Sequence, residues 1–180
     1  MKRILFIVAF ALCALPLFGQ KMTKEEKAAA AKVRYEAALE SINAKTFVII
    51  PSEYMTADGE AVSNIDNNVF LSVEGEQAFG QGHCVTDNKY DNVAEISSYD
   101  VNVDKKGNVK ITMVVSGRMW RGTYKISMRN GDNVADVIFN PSSGTTRRFT
   151  GPVTPVIGSD YNVTYEYRDG FNVLKLEKGL

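Results

Sequence analysis

The chain has 180 residues, of which 44% are hydrophobic, and its 21 basic and 21 acidic side chains balance to a formal net charge of zero. A chain of this length can bury a hydrophobic core as a single domain without disulfide bonds. The charge balance gives no electrostatic basis for binding nucleic acid.

The first 19 residues predict a secretory signal peptide. Lys2 and Arg3 precede an apolar run from Ile4 to Phe18, and the small residue Gly19 follows it, which is the order of such a signal. A run of about 15 apolar residues is shorter than the roughly 20 that cross a bilayer as a helix. We therefore expect cleavage near Gly19 and a periplasmic or secreted product that is not an integral membrane protein. Loss of Lys2 and Arg3 leaves a net charge of about −2.

The cysteines predict neither a lipid anchor nor a disulfide. Cys13 lies inside the signal, but it follows Leu12 where lipoprotein processing favours a small residue, so a lipoprotein is not expected. Removal of the signal leaves Cys84 as the single cysteine. The mature chain then has no intramolecular disulfide, although the compartment is oxidising.

The segment Thr23–Ala44 predicts a helix, because it is rich in Ala, Glu, Lys and Leu and contains no Gly or Pro. Thr23 and Glu26 have the spacing of a capping box, which marks the helix start. The apolar positions form a moderate stripe: Ala31, Val33, Tyr35, Ala38, Leu39 and Ile42. We expect the helix to pack on the sheet by this face; recruitment of a partner is the alternative.

After the helix, β-branched and aromatic runs alternate with Gly, Asn and Asp, which predicts antiparallel strands joined by hairpins. The predicted strands are 46–54, 67–74, 76–83, 93–104, 108–117, 119–129, 133–140, 145–153, 161–167 and 171–177. Tight turns are expected at Gly107, Asn130-Gly131 and Asp169-Gly170. Regular alternation in 119–129 predicts one buried and one solvated face.

The predicted fold class is mainly β, with an N-terminal helix followed by an antiparallel meander that forms a curved sheet, a sandwich or an open barrel. The expected organisation is a signal peptide at 1–19, the helix at 20–45 and one antiparallel β domain at 46–180. No internal repeat or linker-like tract indicates a second domain.

The sequence predicts no catalytic residue, metal site or cofactor. His83 and Cys84 are adjacent, and neighbours in a strand point to opposite faces, which separates thiol from imidazole. One His and one Cys do not complete a zinc site, and no acidic loop has the ligand spacing of the calcium loop. Gly80-Gln81-Gly82 is followed by no helix, so it predicts a strand end or bulge instead of a phosphate loop.

Two groups of side chains are candidate binding surfaces. A basic group is expected to form an anion-binding surface, for a glycan or a lipid headgroup, if its strands lie close together; the alternative is a solvated outer face. Its members are Arg121, Lys125, Arg129, Arg147 and Arg148, with Arg118 beside them. An aromatic group lines a pocket if the sheet closes, or else fills an ordinary core. Its members are Trp120, Tyr124, Phe139 and Phe149.

The leading functional hypothesis is an exported, non-catalytic β domain that binds a small apolar ligand inside the sheet or an envelope partner on its outer face. The alternative is a carboxylate-dependent hydrolase acting on envelope polymers, which needs two acids about 5 to 10 Å apart across a cleft. The candidate acids are Glu53, Glu74, Glu76, Glu95 and Glu166. A stabilising or inhibitory partner protein is a third hypothesis and requires an exposed apolar patch. The oligomeric state is left open.

Four segments resemble a family of exported Bacteroidetes proteins, domain-of-unknown-function family 4251. They are Phe47-Val48-Ile49 leading into Pro51, Asn68-Val69-Phe70-Leu71 with Val73-Glu74-Gly75, Tyr99-Asp100-Val101 through Lys105-Lys106-Gly107-Asn108-Val109, and Gly151-Pro152-Val153. The resemblance runs from Lys45 to Val156 and implies a compact β domain located in a Gram-negative envelope or secreted. It implies no catalytic residues.

Overall fold

The structure, a computed structural model, describes residues 22–64, 66–165, 167–168 and 171–172. The predicted signal peptide at 1–19, the Asp169-Gly170 turn and most of the predicted strand 171–177 lie outside these residues. Within the described part of the chain, no helix is both long and apolar enough to span a membrane.

Helix α1 spans Lys24–Ala44 and begins at the predicted capping box. The Glu26 amide donates to Thr23 Oγ1 at 3.2 Å, and the Thr23 amide donates to Glu26 Oε2 at 2.8 Å. These two bonds satisfy backbone donors that the first helical turn leaves without partners. The helix ends at Ala44 and is capped by Lys45, whose left-handed backbone (φ 53°) lets its amide donate to Ile42 O.

Twelve strands follow in the described residues. They are β1 (Thr46–Ile49), β2 (Glu53–Met55), β3 (Ala61–Ser63), β4 (Phe70–Glu74), β5 (Gln77–Gly82), β6 (Asn88–Val103), β7 (Val109–Ser116), β8 (Arg121–Met128), β9 (Val134–Pro141), β10 (Arg147–Pro155), β11 (Tyr167–Arg168) and β12 (Phe171–Asn172). Every pairing between them is antiparallel. The predicted mainly β, antiparallel fold is confirmed.

The sheet closes into an eight-stranded barrel. Strands β4 to β10 pair in chain order, and β1 pairs with both β4 and β10, which joins the two edges of the meander. The Phe47↔Pro155 and Val48↔Thr154 pairs make this closure. Of the three predicted forms, the barrel is therefore the one adopted, and it is closed where the sequence predicted an open one.

The predicted strand 46–54 is divided by a bulge. β1 and β2 both pair with the same edge of β10, but the register shifts by one residue between Ile49↔Val153 and Glu53↔Thr150. Pro51 lies in this interruption, where it has no amide to donate to a ladder. Beyond the bulge, β2 leaves β4 and pairs with β3, a strand that the sequence analysis missed. The barrel wall is therefore interrupted between β2 and β4.

The predicted strand at 161–167 is wrong over residues 161–165, which form no ladder. This segment is held by the side chain of Gln81, which accepts from the Thr164 amide at 2.7 Å and donates to Asn162 O at 3.2 Å. Two backbone bonds also hold it, from the Asn162 amide to Asn67 O at 3.1 Å and from the Asp91 amide to Thr164 O at 2.9 Å, but they do not form a ladder. The neighbouring strands β4 and β5 are already paired on both edges. Gln81 lies at a register shift between Gly80 and Gly82, which confirms the predicted bulge.

Apolar side chains from all eight barrel strands fill the barrel interior. They are Phe47, Ile49, Leu71, Val73, Ala78, Ala94, Ile96, Val109, Ile111, Met113, Val115, Tyr124, Ile126, Met128, Ala135, Val137, Phe139, Phe149 and Val153. The alternation predicted for 119–129 is confirmed, because β8 alternates between buried and solvent-facing positions along its length.

Helix α1 covers one end of the barrel. The Tyr35 hydroxyl donates to Gly107 O in the β6–β7 turn at 2.5 Å, and the Tyr99 hydroxyl of β6 donates to Ile42 O at 2.8 Å. The helix also contacts β1 and β10, on the opposite side of the barrel from β6 and β7. Ala38 and Ile42 are fully buried, whereas Val33 is 65% exposed, so the predicted stripe was too wide.

Candidate functional site

The barrel end opposite α1, called the distal end below, is formed by the turns at 83–87, 117–120 and 142–146. The first turn folds inward, so that Val85 is fully buried and Cys84 is 4% exposed. The Tyr124 hydroxyl donates to Val85 O at 3.0 Å and accepts from Trp120 Nε1 at 3.1 Å. Trp120 and Tyr124 thus form part of a buried aromatic layer, called the floor below. Their polar groups are hydrogen-bonded because leaving a buried polar group without a partner costs free energy.

Arg147 is held over this floor by three contacts. Its guanidinium carbon lies 5.7 Å from the centre of the Phe139 ring. Its Nη1 donates to Val85 O at 3.5 Å, and its Nη2 lies 3.4 Å from Asp87 Oδ2. The Arg147 side chain is 20% exposed and that of Asp87 is 74% exposed, so water screens Asp87 more than Arg147. The guanidinium is thus held at the distal end, where the side chain stays partly exposed to solvent.

A pocket of about 320 Å³ opens beside Arg147. Three arginines line it, together with hydroxyl groups and two aromatic side chains of the floor: Arg118, Arg121, Arg147, Thr86, Ser142, Ser143, Trp120 and Phe139. No acidic side chain is among the described residues that line it. Arginine presents five donors in a rigid fork that matches carboxylate and phosphate oxygens. This arrangement, called the arginine pocket below, is suited to an anion.

A second depression, called the groove below, adjoins the arginine pocket and shares Arg147 and Ser143 with it. Its volume is about 560 Å³. It is lined by Tyr54 and Met55 of β2 on one side and by residues of the 83–87 turn on the other. The rings of Tyr54 and His83 meet edge to face in its wall, 4.5 Å between centres.

Positive charge near the floor acts on two buried groups. Burial raises the pKa of the Cys84 thiol to about 12, and the thiol's own backbone hydrogen bond and the charge of Arg147 oppose this rise. Burial also raises the pKa of Tyr124 well above its usual value, against the hydrogen bond with Trp120 and the same arginine charge. Cys84 is therefore a protonated thiol at neutral pH and not a nucleophile.

The stability of the fold is expected to fall as pH rises above about 9. Cys84 and Tyr124 contribute stability that is complete below their unfolded pKa values of 9.0 and 10.0 and is lost as the pH rises toward their folded values, because only the unfolded chain releases these protons. Between pH 7 and about 10.5 the thiol accounts for about 2 kcal/mol of this loss. Urea unfolding at both pH values measures this loss of stability. Between them, Cys84→Ala should lose correspondingly less free energy of unfolding than the wild type. Equal losses in the two proteins would contradict the prediction.

A comparison with solved structures finds this architecture in a DUF4251 family protein from Bacteroides eggerthii. The two chains are 22% identical with a TM-score of 0.62, and the similarity covers 73% of this chain and 94% of the other. The chain has the fold of this DUF4251 protein. The resemblance predicted from the sequence is thereby confirmed at the level of fold. Comparisons with protein-family models and with curated proteins found no match.

The DUF4251-like barrel divides the predicted basic group among three places. Arg121 and Arg147 line the arginine pocket, as does Arg118. Lys125 and Arg148 are exposed on the outer wall, where both lie opposite Ile138 of β9. Arg129 follows β8 at the end of the barrel that α1 covers. Alternation along β10 explains why the consecutive residues Arg147 and Arg148 face different environments.

The predicted aromatic group is buried. Trp120, Tyr124, Phe139 and Phe149 are each at most 2% exposed, and the rings of Tyr124 and Phe139 stack with centres 4.2 Å apart. Trp120 and Phe139 also form part of the pocket floor. Thr86, Ser142 and Ser143 were not predicted; the only signal for them was that each falls in a turn between predicted strands.

No two of the candidate acids line the same depression among those found in the described residues, although Glu53 lines one on the outer wall together with Asp136 and Arg148. Glu74 and Glu95 each pair with Gln77 across neighbouring strands, on the solvent-facing side of the wall. Glu76 bonds to Lys45 Nζ at 2.8 Å. Glu166 lies outside the described residues. In the part of the chain that the structure describes, no three His, Cys, Asp or Glu side chains are placed to hold a metal ion.

Proposed function

We propose that this protein is an exported, non-catalytic binding domain that takes the carboxylate or phosphate group of a small ligand into the arginine pocket. The single observation that carries the proposal is the convergence of Arg118, Arg121 and Arg147 on one depression beside a rigid aromatic floor. Charge-assisted bonds from arginine forks are among the stronger polar interactions in proteins. The pocket volume, about 320 Å³, lies at the lower end of the roughly 300–1,000 Å³ range of small-molecule sites.

The pocket favours an anion over the small apolar ligand that the sequence predicted inside the sheet. The aromatic side chains that would line an apolar site are packed against one another, and Tyr124 is fully buried with both hydroxyl bonds made inside the protein. Space for a ligand is found instead at the distal end. Arg121 forms no ion pair with any residue in the described ranges 22–64 and 66–165. Its charge is therefore available to an incoming anion.

Export is part of the proposal and rests on the basic start, apolar run and Gly19 of the N-terminal segment. Gln20 as the first residue of protein isolated from its own cells would support it. An intact Met1 would count against it.

The test uses the fluorescence of Trp120, the only tryptophan of the chain, which lies in the pocket floor. Titration of the mature protein with glucuronate and with inorganic phosphate should give a saturable change for at least one of the two, and glucose should give none. The affinity should fall as sodium chloride is raised, because salt screens partly exposed charges.

Two matched substitutions decide whether the pocket is responsible. Arg121→Gln should weaken anion binding about tenfold or more, since a hydrogen bond to a charged group contributes about 1.5 to 3 kcal/mol. Arg129→Gln makes the same chemical change at the other end of the barrel and should leave the affinity unchanged. Absence of saturable binding by either anion, or equal weakening by both substitutions, would overturn the proposal.

A further inference from the structure

We infer that the ligand is an acidic glycan chain, whose acidic sugar occupies the arginine pocket while a neighbouring neutral sugar occupies the groove. This inference rests on the proposed function and adds to it the chemical class and the minimum length of the ligand. Its basis is that the arginine pocket and the groove adjoin and share Arg147 and Ser143 as lining residues. A molecule longer than one sugar that is held by its acidic group at Arg147 can therefore extend into the groove.

The groove itself has the chemistry of a sugar site. Asp87 supplies a carboxylate acceptor, and Thr145 and Ser143 supply hydroxyl groups that both donate and accept. Neutral sugars carry hydroxyl groups that need such mixed partners. The half-buried Tyr54 adds an aromatic ring with a polar tip, a combination that binds surfaces with one apolar and one wet side.

The same groups argue against an acyl chain in the groove. An alkyl chain covering Asp87 and Thr145 would take their polar atoms out of water without replacing the lost hydrogen bonds, which is unfavourable. A sugar replaces those bonds. The groove also has an architectural origin, because β2 pairs with β3 beyond the bulge and leaves the wall open beside the 83–87 turn. The groove is therefore formed by β2 and by Arg147 of β10, together with the turns that follow β2, β5 and β9.

Charge separates the two subsites. Three arginines line the first, whereas the second contains only one of them, Arg147, together with its ion-pair partner Asp87 and uncharged hydroxyl groups. An acidic sugar in the groove would meet the carboxylate of Asp87, and like charges repel. The larger number of arginines in the arginine pocket therefore favours the acidic sugar there and the neutral sugar beside Tyr54.

The experiment compares three probes by calorimetry on the mature protein: glucuronic acid, a disaccharide of glucuronic acid linked to xylose, and the neutral disaccharide xylobiose. The acidic disaccharide should bind about fivefold or more tightly than glucuronic acid, because the groove adds contacts. Xylobiose should bind more weakly than either acid. Equal affinity for glucuronic acid and the acidic disaccharide would overturn this inference and leave the proposed function standing, whereas no binding of either acid would overturn both.

Two variants test the groove directly. Tyr54→Ala should remove the advantage of the disaccharide while leaving the affinity for glucuronic acid unchanged. Because Tyr54 packs against the core, Thr145→Trp, a substitution of an exposed residue that obstructs the groove, provides a second variant with the same expected result. If both variants fold and still prefer the disaccharide, the neutral sugar does not lie in the groove and the inference is wrong.

Discussion

Replacing Arg147 with glutamine is expected to weaken anion binding by about a hundredfold, the largest effect of any single substitution at the distal end. Arg147 lines both the arginine pocket and the groove. Its position is fixed by Val85 O, Asp87 and the Phe139 ring, so its bonds to a ligand cost less conformational entropy than those of a free side chain. Arg147→Lys keeps the charge but loses the planar fork, and should show an intermediate loss.

The adjacent residue provides a matched control for this prediction. Arg148 lies on the outer wall opposite Ile138, and Arg148→Gln removes the same charge from the neighbouring position of the same strand. Affinities for glucuronate measured by Trp120 fluorescence should be unchanged in Arg148→Gln. Thermal unfolding of each variant separates loss of binding from loss of fold. Equal affinities in Arg147→Gln and the wild type would remove Arg147 from the site.

Replacing Gly151 with alanine is expected to destabilise the barrel by about 3 kcal/mol, at the upper end of the usual cost of overpacking. A Cβ at this position would lie 2.3 Å from Ile50 O and 3.1 Å from Pro51 Cα. Both are backbone atoms of the bulge that divides β1 from β2, so neither can rotate away. A small domain is stable by only about 5–15 kcal/mol, and the change therefore removes a large part of that stability.

Gly131→Ala is the control for this substitution. Gly131 lies in the exposed β8–β9 turn, where an added Cβ meets no atom within 4 Å. Its φ of +76° costs an alanine about 1–2 kcal/mol through backbone strain alone. Urea unfolding should show a distinctly greater loss of stability for Gly151→Ala than for Gly131→Ala. If Gly151→Ala loses no more stability than Gly131→Ala, the backbone of the bulge can move to accommodate the added Cβ. The close approach of Gly151 to Ile50 then does not constrain the bulge.

The features that the sequence predicted well are local ones. The capping box needs only Thr23 and Glu26, three positions apart. The β6–β7 turn needs a residue that accepts positive φ, and Gly107 has φ +83°. Alternation along β8 follows from the pleat of a single strand. In each case the determining residues are neighbours in the chain, so their pattern is visible without knowledge of the fold.

Barrel closure could not be predicted in this way, because it depends on Phe47 meeting Pro155 from the other end of the chain. The β2–β3 hairpin was missed for a related reason: β3 has only three residues and gives almost no periodic signal. Closure then decides the candidate site. Alternate turns of an antiparallel meander lie at the same end of the sheet, so the turns carrying Arg118 and Arg147 would share an end in an open sheet as well. Closure adds the 83–87 turn, whose Val85 O accepts from Arg147 Nη1, and the sequence gives no measure of that distance.

The division between Arg147 and Arg148 was within reach of sequence reasoning. Consecutive residues of a strand face opposite sides, so the two could not both belong to one outer surface. The position of Trp120 was harder to predict from the sequence. Alternation assigned it to the buried face correctly, but it precedes β8 and lies in a turn, where its bond to the Tyr124 hydroxyl fixes it.

The central claim, that an anion binds in the arginine pocket, is tested most directly by mapping backbone amide shifts in nuclear magnetic resonance spectra during titration with glucuronate. Saturable shifts should concentrate in the turns at 83–87, 117–120 and 142–147, which surround Arg147, and should be absent in Arg147→Gln. Shifts centred on Lys125 and Arg148 of the outer wall, or on helix α1, would place the anion elsewhere and contradict the account.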